Sequence, residues 1–354
     1  MIQQFLFKLL MVPFALLYGI GVILRNGLYE AGFLKSIHFS VPVISVGNLT
    51  VGGAGKSPHI EFLVRALKDY IHVSTLSRGY KRKSKGFASV EVNNRVDEVG
   101  DEPLQFKRKF PDIGVYVSEN REIGIPKIMA IRPETQVVLL DDAFQHRSVK
   151  AGINILLTEY GDLFINDFLL PVGRLREWRS AYKRASTIVV TKCPPEISEE
   201  EKQAIRTSIQ LQDGQRLFFS QFRYGKLYQM FYPSVTVPLH PSIHALVITG
   251  IARTKALVTH LEAQLASVKI IEYGDHHNFT RYEISQLKKQ FDAVEEERKI
   301  IITTEKDAVR LEKHQTYLRE QRMPIFILPV FVSFLGDDSL FTSHIQEYLL
   351  HFRK

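Results

Sequence analysis

The apolar positions fall into two kinds of run. Val41-Pro42-Val43-Ile44-Ser45-Val46, Val73-Ser74-Thr75-Leu76-Ser77, Val115-Tyr116-Val117, Gln136-Val137-Val138-Leu139-Leu140, Ile153-Asn154-Ile155-Leu156-Leu157 and Thr187-Ile188-Val189-Val190-Thr191 are short and nearly continuous. Such runs predict strands buried on both faces of a parallel sheet. Elsewhere apolar residues recur at helical spacing. Ile60, Leu63, Val64 and Leu67 predict one helix, and Gly100-Asp101-Glu102-Pro103 opens another over Leu104 to Phe110. Strands alternating with helices predict a doubly wound parallel α/β sheet. The rhythm restarts at Ala245-Leu246-Val247-Ile248-Thr249-Gly250. A helix near 255–265, strand Lys269-Ile270-Ile271, a helix near 281–291, strands Ile300–Thr303 and Ile325–Leu328 and a closing helix over 338–352 follow. They predict a smaller, Rossmann-like α/β domain.

Two stretches break the pattern. Residues 216–238 follow a polar helix over 196–212 and alternate aromatic with polar residues around Gly225, which predicts a two-stranded linker. Residues 9–24 carry no charge and lie between Lys8 and Arg25. That run is shorter than the ~20 residues of a spanning helix, and Pro13 interrupts it. No small-residue cleavage site follows it. The expectation is an apolar helix in a membrane interface, with Lys8, Arg25 and Lys35 near headgroups. A buried core helix and a spanning helix are the alternatives. The organisation expected is an N-terminal helix over 1–35, a first domain over 36–215, the linker over 216–240 and a smaller domain over 241–354.

Composition adds bounds. With 354 residues, 45% apolar and 24% charged, the chain is globular and long enough for two cores. A net charge of +8 points to an anionic partner. The lone Cys193 excludes an internal disulfide framework and a multi-cysteine zinc site.

The candidate chemistry begins where the first strand ends. Gly47-Asn48-Leu49-Thr50-Val51-Gly52-Gly53-Ala54-Gly55-Lys56-Ser57 follows a strand and opens a helix, the context of a phosphate-binding P-loop. Glycines let backbone N–H groups converge on an anion, and the helix N-terminus adds positive potential. Thr50, Val51, Gly52, Gly53, Ala54, Gly55, Lys56 and Ser57 are therefore the nucleotide-binding candidates. Lys56 would reach the β/γ-phosphates and Ser57 would ligate Mg²⁺. Thr50 stands where the strict pattern wants Gly. Val137 to Leu140 end in Asp141 and Asp142, the shape of a Walker B strand with carboxylates beside the P-loop. Lys81, Arg82, Lys83 and Lys85 form either a solvated basic face or a ligand loop at a strand's carboxyl end. Asp275-His276-His277 could suggest a metal, but adjacent histidines point apart and no other His or Cys cluster supports them.

Taken together the motifs resemble those of the tetraacyldisaccharide 4′-kinases. The resemblance rests on Val46 to Pro58, Ser77-Arg78-Gly79-Tyr80, Gly100 to Pro103, Asp141 to Arg147 and Leu170 to Glu177. It continues through Thr249-Gly250-Ile251-Ala252, Asp275-His276-His277 and Thr304 to Ala308, in the family's order. It implies an ATP- and Mg²⁺-dependent kinase that phosphorylates the 4′-hydroxyl of a lipid A disaccharide precursor. The expected location is the cytoplasmic face of the inner membrane, peripheral or monotopic. Thr50 is the family's own form. By resemblance Asp101 is the proton acceptor, His276 its partner from the second domain, and Arg176 and Glu177 belong to the nucleotide–metal site. The catalytic set expected is thus Asp101, His276, Lys56 and Arg176, and the metal set Ser57, Asp141, Asp142 and Glu177. Ala143, Trp178 and Arg253-Thr254 depart from the family pattern, and leave loop shape and acceptor fit open.

Other classes fit less well. A partitioning-type ATPase switch carries a signature lysine where Val51 stands. A GTPase would need Asp in place of Pro194 after Thr191-Lys192-Cys193. No basic motif interleaved with aromatics indicates nucleic acid.

Overall fold

The computed structural model describes residues 2–352, with side chains from residue 9 onward. Met1, Arg353, Lys354 and the expected headgroup contact of Lys8 lie outside the described residues. The strands are β1 (Val43–Asn48), β2 (Val73–Ser77), β3 (Ala88–Ser89), β4 (Gly114–Val117), β5 (Val137–Asp141), β6 (Ile153–Glu159), β7 (Thr187–Thr191) and β8 (Arg216–Tyr224). β9 (Leu227–Gln229), β10 (Tyr232–Val237), β11 (His244–Thr249), β12 (Ser267–Glu272), β13 (Lys299–Thr304), β14 (Ile325–Leu328) and β15 (Val330–Phe334) follow. The helices are α1 (Ile2–Glu30), α2 (Lys56–Leu67), α3 (Val96–Val99), α4 (Asp101–Lys109), α5 (Arg121–Ile131) and α6 (Glu199–Ile209). The second half adds α7 (Lys255–Glu262), α8 (Arg281–Asp292), α9 (Glu305–Leu311), α10 (Gln315–Glu320) and α11 (Asp338–His351).

A nine-stranded sheet has the order β15-β8-β7-β6-β1-β5-β2-β4-β3, parallel from β8 through β4 and antiparallel at both edges. β1 lies at its centre with every residue buried, which its near-continuous apolar sequence requires. Val46 of β1 stands level with Asp141 of β5 and Ile155 of β6, so the loop after β1 opens beside the aspartates. This is a switch point of an open α/β sheet, where ligands bind. A second, six-stranded sheet has the order β10-β9-β14-β13-β11-β12. The α/β doubly wound fold with a smaller α/β unit is thus present.

The expected linker is divided between the sheets. β8 pairs parallel with β7 in the large sheet, and β9 and β10 form the antiparallel margin of the small one. Alternation of aromatic and polar residues marks sheet-margin strands here: Phe219 of β8 and Leu227 of β9 turn into cores, whereas β10 is exposed along nearly its whole length. The chain end also differs from expectation. β15 returns to pair with β8, and Phe341 and Ile345 of α11 join the first lobe's core beside Ile44 and Phe334. The closing helix follows its apolar face across to the larger sheet. α5 is a further element without a sequence signal, because Gly124 and Pro126 inside it mask the helical pattern.

α1 also departs from expectation. It runs unbroken through Pro13 for 29 residues. Pro13 removes one intrahelical hydrogen bond, yet the helix continues on both sides. Between Leu9 and Leu24 only Ala15 and Gly19 are buried, which sets aside a core helix. Among the described residues α1 is the one helix long and apolar enough to cross a membrane.

Candidate active site

The loop after β1 is held from both sides. The Val51 amide donates to the Arg174 carbonyl and the Arg176 amide to the Leu49 carbonyl, each at 2.8 Å. The 170–177 loop is thereby laid along the P-loop. Gly55 caps α2 with φ 85°, and a Cβ there would lie 2.7 Å from the Phe222 ring. Only glycine meets both demands. His59, one turn into α2, faces the Gly55 carbonyl through Nδ1 at 2.7 Å and Ser220 Oγ through Nε2 at 3.0 Å. Burial lowers His59 to about 4. It is therefore neutral, and Nδ1–H donates to the loop.

Lys56 Nζ lies 3.1 Å from Asn48 Oδ1 and 3.7 Å from Asp142 Oδ1. Arg176 grips Asp142 with both guanidinium arms, at 2.8 and 3.2 Å, and also reaches Asn48. Burial opposes the Asp142 charge, but Lys56 and Arg176 hold the carboxyl well below the usual range. Asp141 lacks such a partner. Burial, with Glu102 nearby, pushes it up to about 7, and its Oδ1 has no hydrogen bond. Ser57 Oγ donates to Glu102 Oε1 at 2.8 Å. Glu177 turns from this group toward Arg184, at 2.6 Å, and Asn26 of α1. Its second oxygen is buried and unpartnered. Among the described residues no three His, Cys, Asp or Glu side chains form a ready-made metal cage.

The second lobe supplies the rest. His276 has φ 57° and presents Nδ1 to Asp101 Oδ2 at 2.7 Å. The same oxygen accepts Arg310 Nε at 2.9 Å and Nη2 at 2.5 Å. Arg310 Nη1 binds Asp307 at 2.9 Å and the Gly250 carbonyl at 3.0 Å. Lys306 pairs with Glu102 across the same lobe boundary. Burial works against the Lys306 charge, yet Glu102 and Asp101 hold the amine above its ordinary range.

Between the lobes lies a cavity of about 1970 Å³. The P-loop, Ser57, Asp141, Asp142, Arg176, Glu177 and His276 line it, while Tyr18, Val22 and Arg25 of α1 form part of its wall. The strand ends of both sheets bring together phosphate-binding, carboxylate and imidazole groups that lie far apart in sequence.

This arrangement has known counterparts. The family of tetraacyldisaccharide-1-P 4′-kinases matches residues 7–350. The tetraacyldisaccharide 4′-kinase of Phocaeicola vulgatus is 43% identical over 343 residues, covering 95% of this chain and 94% of that protein.

The chain belongs to the tetraacyldisaccharide 4′-kinase family.

The Flavobacterium johnsoniae kinase is 41% identical over 344 residues, with 97% and 98% of the two chains covered. The solved structure of Aquifex aeolicus LpxK in complex with ATP superposes with a TM-score of 0.72 at 29% identity, covering 97% of this chain and 99% of that one. The protein is an ATP-dependent kinase for the 4′-hydroxyl of a lipid A disaccharide precursor, and the switch ATPase or GTPase alternative is not favoured.

The departures from the family pattern at Trp178, Arg253 and Ala143 have structural accounts. Trp178 donates through Nε1 to the Gly19 carbonyl at 3.0 Å, and a Cβ on Gly19 would lie 2.6 Å from the indole. The tryptophan is thus a docking point for α1. Arg253 crosses between lobes to Glu159 at 2.9 Å and to Asp162. Ala143 packs in the first lobe's core. Sequence reasoning gave no role to His59, Glu102, Arg121 or Arg310. Arg121 is fully buried against the Asp141 carbonyl, and burial lowers it to about 10. An arginine in a helix without a visible pattern carries no signal of that position.

Proposed function

We propose that this kinase transfers the γ-phosphoryl group of Mg-ATP to the 4′-hydroxyl with Lys56, Arg176, Asp101 and His276 as its working residues. The carrying observation is that Lys56 and His276, from different lobes, face one cavity whose wall includes α1. In this reading the amides of residues 50–57 and the Lys56 ammonium hold the phosphates, and Arg176 keeps Asp142 and the loop in register. The Asp101–His276 pair handles the acceptor's proton. Lobe contacts such as Lys306–Glu102 limit the water that reaches the phosphates.

Oxygen donors suit Mg²⁺, and the unpartnered Asp141 Oδ1 beside Ser57 and Asp142 fits such an ion. The free oxygen of Glu177 gives it the same capacity. When bound, the ion neutralises charge on the transferred phosphoryl group.

The same reading places the protein at the cytoplasmic face of the inner membrane. Leu17 and Leu24 are 68% and 64% exposed on α1, while Arg25 on the same helix reaches the Gln145 carbonyl. An apolar outer face and a docked inner stripe suit a monotopic helix that brings the acceptor headgroup to the cavity. The test is label transfer from γ-labelled ATP to a lipid A disaccharide precursor in detergent. Labelled lipid is expected. A folded, nucleotide-binding protein that labels no lipid would overturn the proposal.

A further inference from the structure

We propose that a small basic cavity beneath the connection from α1 to β1 binds a phosphate-type oxyanion, with the headgroup of an anionic phospholipid as the expected source and free phosphate as the other. None of the residues assigned to phosphoryl transfer lines it. Its volume is about 140 Å³. That is the room of roughly five waters at ~30 Å³ each, and well short of the ~300 Å³ at which pockets for whole small molecules begin. One tetrahedral group fits it.

The lining carries positive charge. Arg147, Lys150 and Arg184 line the cavity, and among the described residues no Asp or Glu does. The two arginines are paired to the outside. Arg147 reaches Glu30 at 3.3 Å and the Asn26 carbonyl at 3.2 Å, both on α1, and Arg184 holds Glu177 at 2.6 Å. With Lys150 exposed at the rim, three cations stand against two carboxylates. Burial pulls Arg184 below its ordinary range, Glu177 opposes it, and the like charges of Arg147 and Arg25 add to the pull. An anion in the cavity relieves that crowding.

The floor supplies donors. Ser45, in the middle of β1, lines the cavity and is 2% exposed, and its Oγ has no hydrogen-bond partner. A hydroxyl buried in the central strand of a sheet is costly unless something bonds it. Asn154 of β6 stands level with Ser45 and lines the same cavity. His146 forms a wall shared with the interlobe cavity, and burial, with Arg121, lowers it to about 4, so it is neutral. Donors and cations without a facing carboxylate suit phosphate oxygens, which only accept.

The roof indicates the lipid source. Ser36, just after α1, donates to the Arg147 carbonyl at 2.6 Å, and the Lys150 amide donates to the Ile37 carbonyl at 2.9 Å. Arg147 also lies over the Tyr29 ring of α1, 5.2 Å from its centre. In the same connection Phe33 is 80% exposed, and Leu34 and Ile37 are exposed too. Apolar side chains beside a basic cavity, at the end of a helix with an apolar outer face, fit a phosphodiester held at headgroup depth with its acyl chains along α1. The lipid source rests on the interfacial reading of α1 given above; the oxyanion site does not.

The test uses the full-length protein with its P-loop filled by a non-hydrolysable ATP analogue. One probe is radiolabelled inorganic phosphate in equilibrium dialysis. The other is vesicles of phosphatidylcholine, alone or with an equal part of phosphatidylglycerol. Ser45→Val removes the hydroxyl and fills the cavity without changing charge. Lys150→Gln removes the rim cation, and Lys35→Gln, outside the cavity, is the control. The unaltered protein should prefer the mixed vesicles, and Ser45→Val should weaken that preference about tenfold. Lys150→Gln should lose more than the roughly fivefold that Lys35→Gln loses as a plain surface charge. Phosphate retained by the unaltered protein and lost in Ser45→Val, with vesicle preference unmoved, supports the site and makes free phosphate its source. A folded Ser45→Val that matches the unaltered protein in both assays would overturn the proposal. Where melting curves show that Ser45→Val does not fold, a Lys150→Gln variant no weaker than Lys35→Gln in both assays would do so instead. An unaltered protein that neither retains phosphate nor prefers the mixed vesicles would also overturn it. Label transfer to the disaccharide acceptor is read separately, and its absence would reject the phosphoryl-transfer reading without touching this site.

Discussion

Ser57 donates its hydroxyl to Glu102 at 2.8 Å, in the cavity that Asp141, with its unpartnered oxygen, also lines. Glu102 is in turn the anchor of Lys306 from the second lobe. The hydroxyl expected to ligate Mg²⁺ therefore rests on a group that reports the position of the other lobe. Ser57→Ala should raise the Mg²⁺ concentration needed for half-maximal rate by about 10–100-fold. Glu102→Gln should not raise it, since a neutral amide oxygen competes for the hydroxyl more weakly than a carboxylate. Mg²⁺ titrations of both variants at fixed ATP decide this; a larger effect from Glu102→Gln would reverse the assignment.

The docking of α1 depends on the absence of a side chain at Gly19. Gly19→Leu should unseat the helix from Trp178, raise the acceptor KM and expose α1 to protease, with ATP affinity unchanged. Trp178→Ala in the same chain should restore part of the KM by making room. If the double variant is as impaired as the single one, the contact between the two is not what matters.

Removal of residues 1–25 should release the protein from lipid vesicles while ATP binding persists. Among the described residues of this segment the first lobe's cores use only Ala15, so little of their buried area is lost. Truncated protein that unfolds or fails to bind ATP would show that α1 is integral to the fold.

Arg253→Ala should weaken lobe closure. The residue is about one-third exposed, so its ion pairs with Glu159 and Asp162 contribute at most about 1 kcal/mol. The expected outcome is a KM for ATP raised up to about fivefold, more hydrolysis without acceptor, and a nearly constant melting temperature. Unchanged kinetics would confine this bridge to the surface.

His59 should make stability pH-dependent. Burial lowers it from its ordinary 6.5 to about 4, so the unfolded chain binds the proton more readily between those values. Its contribution is complete above about pH 6.5 and is lost as pH falls through about 4, some ~3 kcal/mol in all. Melting curves should therefore fall more steeply over that range in the unaltered chain than in His59→Gln. Parallel slopes would dismiss the effect.

Local pattern by itself determined much of this protein. Continuous β-branched runs fixed which strands are buried on both faces, because a doubly covered strand admits no polar alternation. The strand, glycine turn and helix around Lys56 located the phosphate site, because a left-handed Gly55 and converging amides are local requirements. The motif series pointed to the family. What the tertiary structure decided is non-local. β8 was legible as alternating residues, but its membership of the large sheet rests on pairing with β7 and with β15, more than a hundred residues later. α11 looked like the end of the second domain and packs on the first, since an apolar stripe does not name its partner. The run through Pro13 read as a broken short segment, yet helical neighbours on both sides carry it. Asp101 could be placed beside His276 only by resemblance. Its enclosure by Arg310 had no sequence signal, because a buried arginine and an exposed one look alike until the fold closes around them.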